Sequence, residues 1–176
     1  MSIDTMYQWA AQSPSDIQEH VPTLRALASG CKHVTEFGTR TGVSTITLLA
    51  AGPDKLITYD IERVPDIDLI AANAGRTEFV YRIEDVETAE IEPTDMLFQD
   101  TKHTGEHVYK LLQRHAGKVR KYIAFHDTES CAERDPWYPE EHGILWGINK
   151  YMKRHPEWRL LKHYANCNGL TVYEHA

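Results

Sequence analysis

The stretch MLFQDTKHTGEHV places Asp100, His103, Glu106 and His107 close together in the chain. His103, Glu106 and His107 spell H-x-x-E-H, an order in which one class of zinc peptidases arranges two histidine ligands and a catalytic glutamate. That chemistry needs both histidines on one face of a continuous helix, plus a further carboxylate ligand. Gly105 lies inside the motif and costs a helix about 1 kcal/mol against alanine. PTDMLFQD, immediately before it, reads as a strand and leaves His103 in a loop or first turn. The peptidase order is therefore a chance match. Glu106 and His107 are expected on a solvated helix face, and Asp100 and His103 at the carboxyl end of a strand.

A second group sits in VTEFGTRTGVST. Gly38 and Gly42 bracket a turn into a helix, where the absence of Cβ lets backbone approach a ligand. Glu36 ends a strand that should be buried, a costly place for a carboxylate without a cation or donor. Asp60 ends the next strand, where an acid can grip ribose hydroxyls. The nicotinamide fingerprint G-x-G-x-x-G is absent. An acid before G-x-x-x-G suits a ligand with a positive ammonium and no pyrophosphate, and S-adenosylmethionine is such a ligand.

The elements that must position these residues alternate between strand and helix. Strands are expected at KHVTEF, KLITY, EFVYRI, DMLFQ and KYIAF, with helices at VSTITLLAAGP, DIDLIAANAG, EHVYKLLQRHAG and GILWGINKYMKRHP. SDIQEHVPTLRALASG has helical spacing at Ile17, Val21, Leu24 and Leu27. Ser13 to Asp16 is its expected cap, Pro22 breaks or kinks it, and Gly30 stops it. WRLLKHY and LTVYEH flank an Asn168-Gly169 turn and read as an antiparallel hairpin. Short apolar strands alternating with helices imply a parallel sheet covered on both faces. The expected fold is α/β, a Rossmann-like three-layer sandwich of seven strands, mostly parallel, with one antiparallel strand in the C-terminal hairpin. A single domain over 1–176 is expected, with a helical segment over 1–30 and a substrate loop over 128–142.

A formal net charge of −7 argues against a nucleic-acid or anionic-membrane partner held by charge. Three widely spaced cysteines without C-x-x-C make a disulfide framework or zinc knuckle unexpected and suit a reducing cytoplasm. MSIDTMYQWAAQSPSD has no basic region followed by an apolar run, so no signal peptide is expected.

With these segments in order, the chain resembles class I S-adenosylmethionine-dependent methyltransferases. More narrowly it resembles methyltransferase family 24, the group of sugar and macrolide O-methyltransferases and cephalosporin-hydroxylase-like proteins. SDIQEHVPTLRALA, VTEFGTRTGVST, IEPTDMLFQDTKHT, KYIAFHDT and NGLTVYEH carry the resemblance across nearly the whole chain. It implies that Glu36, Gly38, Thr39, Gly42 and Ser44 surround the methionine end of S-adenosylmethionine, that Asp60 binds ribose, and that Asp85 lies by adenine. Glu84 is a departure, since relatives usually carry glycine there.

The same resemblance implies a divalent ion, magnesium by the oxygen ligands, at Asp100 and the His126-Asp127 pair. His126 can alternatively orient Asp127 or touch substrate. Methyl transfer needs a nucleophilic oxygen, which a cation can activate and a histidine can deprotonate. His103 stands where several relatives carry their base, so Asp100 and His103 are the expected catalytic pair. Trp137 and Tyr138 offer flat faces for a sugar ring. Their alternative is to anchor the loop on the sheet or on another subunit of a homo-oligomer. The acceptor is expected to be a small molecule, a sugar or glycosylated metabolite. The rival readings are a metal-independent methyltransferase and a non-catalytic binding or scaffold module. His115, His155, His163 and His175 are expected at the surface or strand edges, and His33 in a structural role.

Overall fold

Alternation along each buried strand sends successive side chains to opposite faces of one sheet. In the computed structural model, which describes residues 1–176, that sheet has seven strands. They are β1 (His33–Phe37), β2 (Lys55–Asp60), β3 (Glu78–Ile83), β4 (Thr94–Gln99), β5 (Val119–His126), β6 (Trp158–Tyr164) and β7 (Leu170–His175). Their order is β3-β2-β1-β4-β5-β7-β6. Only β7 runs against its neighbours, β5 and β6. The expected architecture and its C-terminal hairpin are both present.

On one face Val34, Leu56, Met96, Phe98 and Ala124 pack against α1 (Ile3–Gln12), α2 (Val21–Ala28), α3 (Val43–Ala50) and α4 (Ile67–Ala72). On the other, Phe37, Ile57, Leu97, Ile123 and Phe125 pack against α5 (Gly105–His115) and α6 (Ile144–Met152). No helix is long and apolar enough to cross a membrane.

Two details differ from expectation. The helix read from Ser13 onward begins only at Val21, with Pro22 in its first turn, where a missing N–H costs nothing. Ser2 instead caps a separate helix, α1, by accepting the Thr5 N–H at 3.2 Å. The hairpin connection is also wider than an Asn168-Gly169 pair. It runs over 165–169, with Cys167, Asn168 and Gly169 all at positive φ.

The order reverses beside β1: the chain moves outward through β2 and β3, then crosses back to β4. A crevice at the carboxyl ends of β1 and β4 follows from that switch. Phe37, Asp60, Asp100 and His126 all leave the sheet at this edge.

Candidate active site

The turn after β1 approaches the end of β4 very closely. The Asp100 N–H donates to the Phe37 carbonyl at 2.8 Å. Gly38 has φ +88, and a Cβ there would stand 1.9 Å from the Asp100 carbonyl oxygen. At Gly42, φ +78, a Cβ would strike Ile70. Both glycines are thus required by close packing and a left-handed backbone.

Asp60 holds this turn. Its Oδ2 accepts the Thr39 and Arg40 N–H groups at 3.0 and 2.9 Å, and its Oδ1 accepts the Ile61 N–H at 2.8 Å. Thr39 adds a buried hydroxyl contact to Thr58 at 2.6 Å. A cleft of about 320 Å³ opens beside the turn, with Gly38, Asp60, Glu84, Asp85 and Asp100 in its wall. The Asp85 Oδ1 accepts the Glu87 N–H at 2.8 Å, fixing the bend that carries it.

Glu36 lies below this cleft rather than in its wall. Strand alternation turns it toward α3, where it is fully buried and its Oε2 accepts the Thr45 hydroxyl at 2.6 Å. Burial pushes its pKa up to about 7, against the hydroxyls of Ser44, Thr45 and Thr58 that favour the charged form. Its Oε1 has no partner. Ser44 is likewise buried on α3.

A second cleft, about 470 Å³, shares Arg40, Asp100 and Thr101 with the first and continues to His103, Asp127 and Trp137. Here the ends of β4 and β5 bring the expected catalytic residues together. His103 Nε2 lies 3.0 Å from Asp127 Oδ2 and 3.3 Å from Asp100 Oδ1. Burial disfavours a charged imidazole, yet Asp100 and Asp127 raise the His103 pKa to about 9. The same contest, with the same two carboxylates, raises His126 to about 10. Burial pushes Asp127 upward, but His103 and His126 hold it well below the usual carboxylate range. Asp100 is lowered by the same pair against its own burial.

His126 is fixed on both sides of its ring. Its Nε2 faces the carbonyl oxygens of Asp16 and Cys167, each at 3.1 Å, and its Nδ1 faces Asp127 at 3.1 Å. Carbonyls accept only, so Nε2 carries hydrogen, and the raised pKa protonates Nδ1 as well. In the metal-free chain His126 thus donates at both nitrogens and orients Asp127, with Nδ1 the atom turned to the carboxylates. Atoms of Asp100, His103 and Asp127, all within 4.8 Å of one another, are close enough to share one ion. Their two carboxylate oxygens fit a hard divalent cation.

Tyr138 lies in the wall of the first cleft, beneath Lys102 at 4.0 Å, and Trp137 lies in the wall of the second, 86% exposed. His103 precedes α5 and His107 lies inside it, so the H-x-x-E-H histidines do not share a helix face. His107 itself is buried, contrary to the expected solvated position. Its Nδ1 contacts Glu87 at 2.7 Å and its Nε2 contacts Thr101 at 3.0 Å. His115 is also fully buried, with Nε2 donating to the Val86 carbonyl at 2.8 Å. Each found a partner on the 85–87 bend, a long-range contact that helix periodicity does not encode.

Sequence reasoning missed Arg40 and Asp135. Arg40, at φ +46, pairs with Asp16 and stands where the two clefts meet. Asp135 is 1% exposed and faces His103. It lies in a loop without regular structure, so spacing carried no signal for its direction.

Solved structures share this architecture. The chain is similar to the O-methyltransferase TomG from Streptomyces achromogenes, involved in tomaymycin synthesis and in complex with SAM. There the identity is 18% and the TM-score 0.63, over 100% of this chain and 90% of that one. It is similar to the N-methyltransferase NodS from Bradyrhizobium japonicum WM9 in complex with S-adenosyl-L-homocysteine, at 13% identity and TM-score 0.68, over 95% and 91% of the two chains. The fold is that of class I S-adenosylmethionine-dependent methyltransferases. The S-adenosylhomocysteine-bound methyltransferase PaMTH1 from Podospora anserina aligns at 14% identity and TM-score 0.61, over 99% and 87%. No protein-family model matches the chain, and no curated protein matches it. Within the class I fold, the cleft beside Gly38 and Asp60 occupies the switch point, and the acid-histidine cluster adjoins it.

Proposed function

We propose that the chain transfers a methyl group from S-adenosylmethionine to a hydroxyl of a small molecule, a sugar or glycosylated metabolite, with divalent-metal assistance. One observation carries this reading: Asp100 is shared by the two clefts, so a donor in one faces an acceptor in the other. Neighbours of this fold include methyltransferases bound to SAM and to S-adenosylhomocysteine, which supports that donor in the first cleft.

Gly38 lines the methionine end of the cleft, with Thr39 buried behind it, while Asp60 and Asp85 line the nucleoside side. Asp60 then has two tasks, since it also fixes the turn that must close on the donor. Arg40, beside both clefts, places a positive charge at their junction. Trp137 supplies an exposed indole face for a sugar ring.

The acceptor hydroxyl is a poor nucleophile until it loses its proton. His103 takes that proton at Nε2, and Asp100 and Asp127 stabilise the charge the ring then carries. With a pKa near 9 the ring is mostly protonated at neutral pH, so the base form must be released. Asp100 and Asp127 would hold a divalent ion, which would supply Lewis acidity to the acceptor oxygen and offset the carboxylate charge that keeps His103 protonated. His126, held by main-chain carbonyls, keeps Asp127 in place throughout. The three unpaired cysteines suit a cytoplasmic setting.

The reading is tested by incubating the chain with methyl-labelled S-adenosylmethionine, magnesium and a panel of sugars, glycosides and amino sugars. Label in a methyl ether supports it. Label only in amine acceptors replaces O-transfer by N-transfer. No transfer, together with no donor binding, leaves the scaffold reading.

A further inference from the structure

Along the loop after β5, DTESCAERD sets Asp127, Cys131 and Asp135 at even spacing. Turns rather than a helix carry them: the Cys131 N–H donates to the Asp127 carbonyl at 3.0 Å, and Asp127 has φ +58. All three side chains come round His103. Donor atoms of His103, Cys131 and Asp135 lie within 4.8 Å of one another.

These groups converge without satisfying each other. Asp135 is 1% exposed, and its Oδ1 accepts the Trp137 N–H at 2.8 Å. Its Oδ2 stands 3.6 Å from His103 Nδ1, beyond hydrogen-bond distance. The Cys131 thiol is buried beside them, with only the Ser130 hydroxyl in weak contact at 3.8 Å. A carboxylate oxygen, a thiol and a ring nitrogen thus face a common space.

We propose that His103 Nδ1, Cys131 Sγ and the Asp135 carboxylate form a thiophilic divalent-cation site, of zinc type, distinct from the oxygen pair Asp100 and Asp127. The donor set selects zinc over magnesium, because sulfur and nitrogen suit a softer ion. Three protein ligands with a fourth position open is a common zinc arrangement. The surroundings also match. A zinc-bound histidine usually donates its other N–H to a carboxylate, and His103 Nε2 already lies 3.0 Å from Asp127 Oδ2. On binding, the thiol gives its proton to solvent. The ion then ties two points of the 128–142 loop to the start of α5, ordering a segment that has no regular structure of its own.

The site itself does not depend on the methyltransferase reading. Its consequence does: with Nδ1 on zinc, Nε2 keeps its hydrogen and cannot accept the acceptor's proton. Zinc therefore opposes the turnover that magnesium supports.

The test is cobalt titration of the metal-stripped chain, followed by optical spectroscopy. A near-ultraviolet sulfur-to-cobalt charge-transfer band is expected, saturating at one ion per chain and displaced by zinc but not by magnesium. The band should vanish in Cys131→Ser, weaken at least tenfold in apparent affinity in Asp135→Asn, and persist in Cys31→Ser and Cys167→Ser. No band in the wild-type chain, or a band that survives Cys131→Ser, overturns the proposal. If Cys131→Ser does not fold, the Asp135→Asn and Cys167→Ser titrations decide by the same band: unchanged affinity in the first, or loss in the second, overturns it. This readout needs no methyl acceptor, so its failure is distinguishable from failure of the proposed activity.

Discussion

Asp127 Oδ2 lies 3.0 Å from His103 Nε2, although the two residues leave different parts of the chain and meet only because β4 and β5 are adjacent. With Asp100 on the other side of the same nitrogen, the pair makes a slot for one positive charge. A proton on His103 fills it in the metal-free chain. The proposed chemistry turns on what else can.

His103→Ala should lower turnover roughly 100-fold or more, the usual range for loss of a general base. Binding of S-adenosylhomocysteine should change little, because His103 does not line the donor cleft. Steady-state rates and calorimetry on the same variant check both halves. Full turnover would remove His103 from the reaction.

Chelation should suppress methyl transfer, and added magnesium should restore it. Without the ion, the carboxylates keep His103 protonated toward pH 9. Rates that do not change in chelator would favour a metal-independent enzyme.

Glu36 predicts a pH signature in stability. Its folded-state pKa of about 7 lies above its ordinary value of 4.5, so the folded state binds the proton more tightly than the unfolded state. Folding stability from this group therefore falls as pH rises from about 4.5 to about 7, then levels off. The total is about 3 kcal/mol for a shift of this size. Glu36→Gln should flatten that part of the profile, measured by denaturant unfolding across pH. A variant with the wild-type slope would show that Glu36 is not the source.

Gly38→Ala should cost about 3 kcal/mol or more, combining left-handed strain with a collision against the Asp100 carbonyl. Gly117→Ala has nothing within 4 Å of the added carbon and should fall within about 0.5 kcal/mol of wild type. Denaturant midpoints of the two variants provide the comparison.

Much of this was legible in the sequence because it is local. The alternation of short apolar strands with helices gave the sheet, and strand ends placed Gly38, Asp60, Asp100 and Asp127 on one edge. What was not legible depends on distant contacts. His107 and His115 looked solvated because helix spacing does not report the 85–87 bend that receives them. The Asp16 and Cys167 carbonyls that take the His126 Nε2, and so turn its Nδ1 to Asp127, are distant contacts of the same kind. Glu36 was expected at the donor, and strand parity turns it under α3 instead. Asp135 lay in a loop with no periodicity to assign it a direction.

The most direct measurement is calorimetric titration of S-adenosylhomocysteine into the wild-type chain and Asp60→Ala. One saturable site per chain is predicted, with affinity at least tenfold weaker in Asp60→Ala, whose turn loses its carboxylate acceptor. No binding at millimolar ligand, or equal binding by a folded Asp60→Ala, would contradict a donor site at the β1 turn.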